Sequence, residues 1–183
     1  GVLLIVLGFS MLAPITIQLI YNEFNSTFII SSIITITFGT LFFLANIDHN
    51  RSLSTQQAFL LTALSWIGVA IFGSIPFIFS DLNLSLTDAF FESMSGITTT
   101  GATIINNLSD APKAILIWRA ILQWLGGIGI IVMAITLMPI MNIGGMQLLK
   151  ISSGDSSEKI LPKSKQISLR LVLIYFSLTL LCA

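Results

Sequence analysis

Residues 88–103 read DAFFESMSGITTTGAT, and the fold turns on this stretch. Asp88 to Ile97 is mostly apolar, yet as a helix it would rise only ~15 Å at about 1.5 Å per residue, half of a roughly 30 Å hydrocarbon core. Thr87 or Asp88 is expected to cap such a helix, and Gly96 to end it. The six residues that follow, Thr98-Thr99-Thr100-Gly101-Ala102-Thr103, carry four hydroxyls and a glycine and are too polar to continue across a membrane. A half-length helix with a polar return predicts a re-entrant unit. Non-helical backbone survives at membrane depth only when buried in protein or lining a water-filled cavity.

Long apolar runs flank this piece on both sides. Residues 56–79 form one candidate span before it, and residues 112–141 form another after it, with Pro112 placed where its missing N–H is harmless. The second run, roughly 45 Å long if unbroken, has to tilt, kink or protrude. Further out, the charge-free run 1–21, interrupted only by Pro14, is joined by the short polar turn 22–26 to a second run, 27–45. Residues 1–45 therefore read as a tight N-terminal transmembrane hairpin. Residues 46–55, holding Asp48, His49 and Arg51, read as an aqueous loop, as do residues 142–166. Residues 167–183 read as the truncated start of a further span. The opening Gly1 lies inside an apolar run with no basic residue before it, unlike a signal peptide. The whole is expected to be a fragment of a longer polypeptide.

Composition agrees with a lipid environment. Of 183 residues, 55% are hydrophobic and 9% are charged, against about 25% charged in soluble domains. Eight basic and eight acidic residues leave zero formal net charge, which removes the bulk electrostatic case for nucleic acid as a partner. The single cysteine, Cys182, and single histidine, His49, exclude a disulfide framework and a multi-ligand Cys/His metal site. The fold class is therefore an all-α, multi-pass membrane protein with lipid as its solvent. Ser93-Met94-Ser95 has no histidine within a span to act as base, so an intramembrane serine protease is excluded and no enzyme is expected.

Loop charges set the orientation. Arg51 lies in one loop and Lys150, Lys159, Lys163 and Lys165 in another, with Arg170 just beyond, whereas the alternate loops hold Glu23, Asp81, Asp88, Glu92 and Asp110 against Lys113 alone. The positive-inside rule puts 46–55 and 142–166 in the cytoplasm and 80–111 outside.

The return suits one chemistry in particular. Extended carbonyls with threonine hydroxyls beside them can replace the hydration shell of a cation. A helix aiming its C-terminal, partially negative end at the same place favours a cation over an anion. By composition alone, a threonine-rich surface loop fits equally well.

The run from Asp88 to Thr103 resembles the pore helix and filter of the Trk/Ktr/HKT superfamily of potassium transporters. The run from Leu116 to Val132, LIWRAILQWLGGIGIIV, resembles the start of the helix after that filter. Pro139 and Gly144-Gly-Met-Gln-Leu148 continue the likeness, which is nearest to the bacterial TrkH branch with its extra N-terminal hairpin. The resemblance implies a pore of four pseudo-repeats in one chain, each a span, a pore helix and a span. Only the first repeat, 56–141, and the opening of the second are present: span 56–79, pore helix 88–97, filter 98–103 and span 112–141. It further implies potassium uptake through filter carbonyls, with K⁺ at Thr99 and Thr100 and with Thr98 and Gly101 flanking. In plant members, serine at the position of Gly101 accompanies Na⁺ preference and glycine accompanies K⁺ permeation. Also implied are a homodimer of the full-length chain, a cytosolic nucleotide-binding regulatory subunit, and a prokaryotic cell (inner) membrane. No cofactor is implied, K⁺ being the transported ion. Channel-like flux and cation-coupled symport both fit, as do K⁺ alone and K⁺ with Na⁺. The rival class is a non-conducting assembly or receptor subunit that retains the re-entrant loop.

Two charges fall within the membrane portion. Glu92 on the short helix and Arg119 about two turns into the next helix come to similar depth. They form either a structural ion pair or two side chains that snorkel separately. Gly126, Gly127 and Gly129 beside Trp124 read as small residues for close helix packing. His49 reads as a solvated loop residue, and the basic loop 150–165 as a cytoplasmic anchor or docking surface. The orientation has a direct test in the full-length protein. Asn107→Cys should react with an impermeant thiol reagent applied outside, and Ser156→Cys should not; the reverse pattern would overturn the topology.

Overall fold

The computed structural model describes residues 1–23, 25–46, 54–141 and 160–182. Residues 47–53 of the loop expected at 46–55 fall outside these residues, as do residues 142–159 of the loop at 142–166. Every regular element among the described residues is helical: α1 Val2–Ser10, α2 Leu12–Ile20, α3 Thr27–Leu44, α4 Thr55–Ile78, α5 Leu86–Ile97, a 3-10 turn Leu108–Asp110, α6 Lys113–Met141 and α7 Ile160–Cys182. Among the described residues, four stretches are long and apolar enough to cross a membrane: Val2–Ile20, Thr27–Leu44, Gln56–Ile78 and Lys113–Met133. The protein is an all-helical, multi-pass membrane protein.

The first and last helical stretches depart from the sequence expectation. The first span is interrupted at Met11, three residues before Pro14. Proline lacks the N–H that would reach the Ser10 carbonyl four residues back, and its ring presses on that carbonyl, so the strain appears one turn upstream. The second correction concerns the loop expected to run to residue 166. A helix already begins at Ile160, with Pro162 in a first turn whose N–H groups have no helical partner anyway.

Residues 1–126 form one compact unit and residues 127–183 a second. In the first, α1 packs along α3, and α4 packs against α5 and α1. The hairpin is close because its contact residues are small. A Cβ on Gly8 would lie 2.5 Å from the Ile36 side chain, and one on Gly39 would lie 2.9 Å from the Ile5 backbone nitrogen. The buried face of α3 is polar, with Ser31, Ser32 and Thr35. Their hydroxyls are satisfied by backbone carbonyls, Ser32 Oγ donating to Gly8 O across the hairpin at 2.8 Å and Ser31 and Thr35 donating one turn back. Leu19, Ile20, Leu41, Leu60 and Ile71 are exposed. In lipid, where tails are as apolar as leucine, small and hydroxylated residues belong inside and large apolar ones outside.

Trp118 of α6 joins the hairpin to the rest. It is fully buried, donates its indole N–H to Gly73 O of α4 at 3.0 Å, and meets Phe28 of α3 edge to face at 6.2 Å between centroids. Thr27 Oγ1 adds a bond to Phe79 O at 3.0 Å. In the second unit, the Tyr175 hydroxyl of α7 sits 2.6 Å from where a Cβ on Gly127 would be.

The tightest approach is between α6 and the end of α5. A Cβ on Gly126 would fall on the Ile97 carbonyl, a backbone group that cannot step aside, whereas Gly68 of α4 has nothing within 4 Å. Gly126→Ala should therefore lower stability by about 2 kcal/mol. Gly68→Ala should be neutral or stabilise by up to ~1 kcal/mol through helix propensity. Thermal unfolding of the detergent-solubilised full-length protein checks this, and equal shifts for the two variants would exclude the contact.

Candidate functional site

The site is built around α5, whose 12 residues rise ~18 Å. Its start is set by Ser85 and not by Thr87 or Asp88. Ser85 Oγ accepts from Asp88 N at 3.1 Å, and Asp88 Oδ2 accepts from Ser85 N at 3.4 Å. This reciprocal capping box places the acidic side chain in the first turn, where the helix dipole favours it.

The far end also departs from expectation. The helix runs through Gly96 to Ile97, and the left-handed residue that closes it is Thr99, at φ 60°. Thr99 N donates to Gly96 O at 2.9 Å and Thr100 N to Ser95 O at 3.0 Å, the two bonds of a Schellman closure. Glycine normally holds that position, because a β-branched residue there is strained. Gly96 serves packing instead, since a Cβ on it would meet Leu122 Cβ at 2.9 Å. The strain falls on the threonine run, and such strain persists only where surrounding contacts over-determine the backbone.

Those contacts orient the segment. The N–H groups of Thr98, Thr99, Thr100 and Gly101 all turn back onto the helix end, Thr98 N reaching Met94 O at 2.9 Å and Gly101 N reaching Ser95 O at 3.3 Å. Ser95 Oγ donates to Ala102 O at 2.7 Å. Thr98 Oγ1 donates to Met94 O and lies 2.9 Å from Thr100 Oγ1. Among the described residues, no donor reaches the carbonyls of Thr98, Thr99, Thr100 or Gly101. Four successive backbone oxygens are thus uncommitted, and all four residues are exposed. Gly101 has φ 75°, and a Cβ there would lie 3.0 Å from Gln123 Nε2 of α6. Among the described residues no three His, Cys, Asp or Glu side chains converge on a metal site.

Beyond Gly101 the return is held by Glu92, which is 1% exposed. Its Oε1 accepts from Thr103 Oγ1 at 2.7 Å and from Ile104 N at 2.5 Å. Arg119 Nε lies 2.9 Å from Oε2. This contact is an ion pair by distance, although the N–H is not aimed closely enough to count as a hydrogen bond. Glu92 and Arg119 therefore meet, and the carboxylate links α5, the return and α6. Ser95 and Gln123 join the site without a sequence signal for it, since a serine on a short helix and a glutamine in an apolar run carry no local pattern, and Thr103, within the expected filter stretch, bonds Glu92.

The Glu92 network makes a quantitative expectation. Arg119→Gln leaves a buried carboxylate without its cation and should cost about 3 kcal/mol of stability. Glu92→Gln on that background should recover more than half, because its amide oxygen can still accept from Thr103 and Ile104. A double variant as unstable as the sum of the singles would show that the two residues are uncoupled. Thermal unfolding of the four full-length proteins completes the cycle.

Residues 24–183 match the family described as TrkH, cation transport protein. The chain is 40% identical over 187 residues to the Trk system potassium uptake protein TrkH of Vibrio parahaemolyticus, covering 100% of this chain and 39% of that protein. It is 40% identical over 184 residues to the Trk system potassium uptake protein TrkI of Halomonas elongata, covering 100% of this chain and 37% of that one. The crystal structure of the potassium transporter TrkH from Vibrio parahaemolyticus superposes with a TM-score of 0.80 at 38% identity, over 98% of this chain and 36% of that chain. The chain thus spans about two fifths of the length of the curated relatives it matches. With its spans, its short α5 and its agreement with that crystal structure, the chain belongs to the TrkH family of cation transport proteins.

Proposed function

We propose that this chain forms the N-terminal hairpin and first pore repeat of a potassium-uptake protein in a bacterial cell membrane, with Thr98–Gly101 as its share of the selectivity filter. The observation that carries this reading is the row of uncommitted carbonyls from Thr98 to Gly101, whose N–H groups are all tied back to α5. A cation leaving water needs oxygens that are already oriented and have no donor to give up. K⁺ is assigned to the carbonyls of Thr99 and Thr100. The Thr98 and Thr100 hydroxyls stand beside them, and Glu92 and Arg119 serve as a structural pair behind them. Relatives bearing the name potassium uptake protein supply the choice of ion.

In this mechanism α5 is a re-entrant pore helix entering from the outside. Its C-terminal end lends partial negative charge to the site, and the ion crosses by exchanging water for carbonyls, with no covalent step. One repeat offers one quarter of the ring, and three further repeats of the full-length protein complete it. Two full-length chains pair, and a cytosolic nucleotide-binding subunit docks on the basic cytoplasmic face.

Gly101 gives the test. A serine there would hold a Cβ at φ 75° and 3.0 Å from Gln123 Nε2, crowding the ring from one side. Gly101→Ser in the full-length protein should lower the ratio of Rb⁺ to Na⁺ uptake severalfold, in cells lacking other K⁺ systems and at equal membrane expression. An unchanged ratio would remove Gly101 from the filter.

A further inference from the structure

The carbonyls of Thr98 to Ala102 follow one another beyond α5, and the last of them differs from the rest. Those of Thr98, Thr99, Thr100 and Gly101 accept no hydrogen bond among the described residues. Ala102 O accepts from Ser95 Oγ at 2.7 Å, and there the uncommitted row stops. Ser95 lies in the last turn of α5 and is 6% exposed. It holds the return by two groups. Its carbonyl accepts from Thr100 N at 3.0 Å and from Gly101 N at 3.3 Å, a tie that any residue at this position could supply. The tie to Ala102 needs a side-chain donor, and the serine hydroxyl provides it.

The second tie matters because of Gly101. Glycine takes either sign of φ about equally readily, so at φ 75° its own backbone does little to keep its carbonyl in one direction. Upstream it is held by the longest of the N–H bonds in the run, 3.3 Å against 2.9 Å for Thr98 and Thr99 and 3.0 Å for Thr100. Downstream the first tie is Ser95 Oγ on Ala102 O, and the next are Thr103 and Ile104 on Glu92. Without the hydroxyl, the backbone torsions flanking the Gly101–Ala102 peptide unit can turn in concert, and Gly101 O swings with them.

We infer that Ser95 is a positioning residue for ion selection: its hydroxyl holds Ala102 O, which fixes the direction of Gly101 O and ends the ion-facing row there. The inference rests on Thr98–Gly101 being this chain's share of the filter. Whether selection works by cavity size or by the number and field strength of the carbonyls, it requires oxygens that keep their places. Ser93 supplies the comparison. It lies two residues earlier on the same helix, is fully buried, and its Oγ has no hydrogen-bond partner. Substitution by alanine removes the same atom from both serines, and only at Ser95 does that atom carry a bond to the return.

Initial rates of Rb⁺ and Na⁺ uptake by the full-length protein, in cells lacking other K⁺ systems and at equal membrane expression, read the difference. Ser95→Ala should raise the KM for Rb⁺ about fivefold, the worth of one neutral hydrogen bond. It should also lower the ratio of Rb⁺ to Na⁺ uptake severalfold, with the maximal rate little changed. Ser95→Thr keeps the hydroxyl and should restore both, and Ser93→Ala should alter neither. Should Ser95→Ala lower folded yield, Ser95→Cys carries the test: its thiol is a weak donor, so KM and ratio should shift in the same direction by less. A lower maximal rate with unchanged KM and ratio would overturn the inference and leave Ser95 a purely structural residue. Equal effects at Ser93 and Ser95 would also overturn it, as would a folded Ser95→Thr protein that behaves like the alanine variant. Gly101→Ser separates this outcome from the filter reading. If it shifts the ratio and Ser95→Ala does not, the filter stands and the positioning role falls; if neither shifts it, both fall.

Discussion

A carboxylate buried to 1% exposure inside a membrane protein is tolerable only when its partners are in place, and Glu92 dictates where those partners must be. Its position on α5 obliges the return to bring Thr103 and Ile104 back alongside the helix, eleven and twelve residues later. It also obliges α6 to present Arg119 at the same depth. Between Glu92 and its ligands on the return lies the threonine run. With both ends of the loop pinned to the same carboxylate and helix end, the run has little freedom left. Its N–H groups go inward to Met94, Ser95 and Gly96, and its carbonyls are left over. The arrangement proposed to meet an ion is in this sense the residue of a stability problem solved nearby.

The distribution of glycines shows the same economy. A helix C-terminus ordinarily uses glycine for its left-handed residue, yet here Thr99 occupies it and Gly96 does not. Gly96 is needed where α5 presses on Leu122, and Gly126 where α6 presses on the Ile97 carbonyl. Close approach of two helices admits no Cβ at the crossing, whereas a left-handed threonine is strained but feasible. Packing took the glycines, and the conformational strain passed to the threonine run, where a backbone held off its preferred region is held by its surroundings and not by itself.

The hairpin at the start of the chain is joined to α4 and α6 by a small set of specific contacts. Trp118 is the central one, since its ring meets Phe28 and its indole N–H meets Gly73 O. A tryptophan in an apolar interior needs an acceptor for that N–H, so the same side chain that fills the gap between α3, α4 and α6 also fixes their register. Elsewhere the hairpin relies on serine and threonine hydroxyls bonded to carbonyls, which satisfies them without water and lets the helices approach.

The all-helical membrane class and the four long apolar spans are legible in the chain's composition, because hydropathy and the scarcity of charge are properties of a window and need no partner to be read. Two finer boundaries are local in origin as well. Ser85-Leu-Thr-Asp88 is a capping box, and Pro14 implies a break at the Ser10 carbonyl. Packing is what makes Glu92 gather Thr103, Ile104 and Arg119, sets Ser95 on Ala102 and Gln123 against Gly101, and leaves the left-handed turn to Thr99. Each of these depends on which atoms of α5 face which atoms of the return or of α6. Such distances are set by packing between segments, and no property of either segment alone contains them.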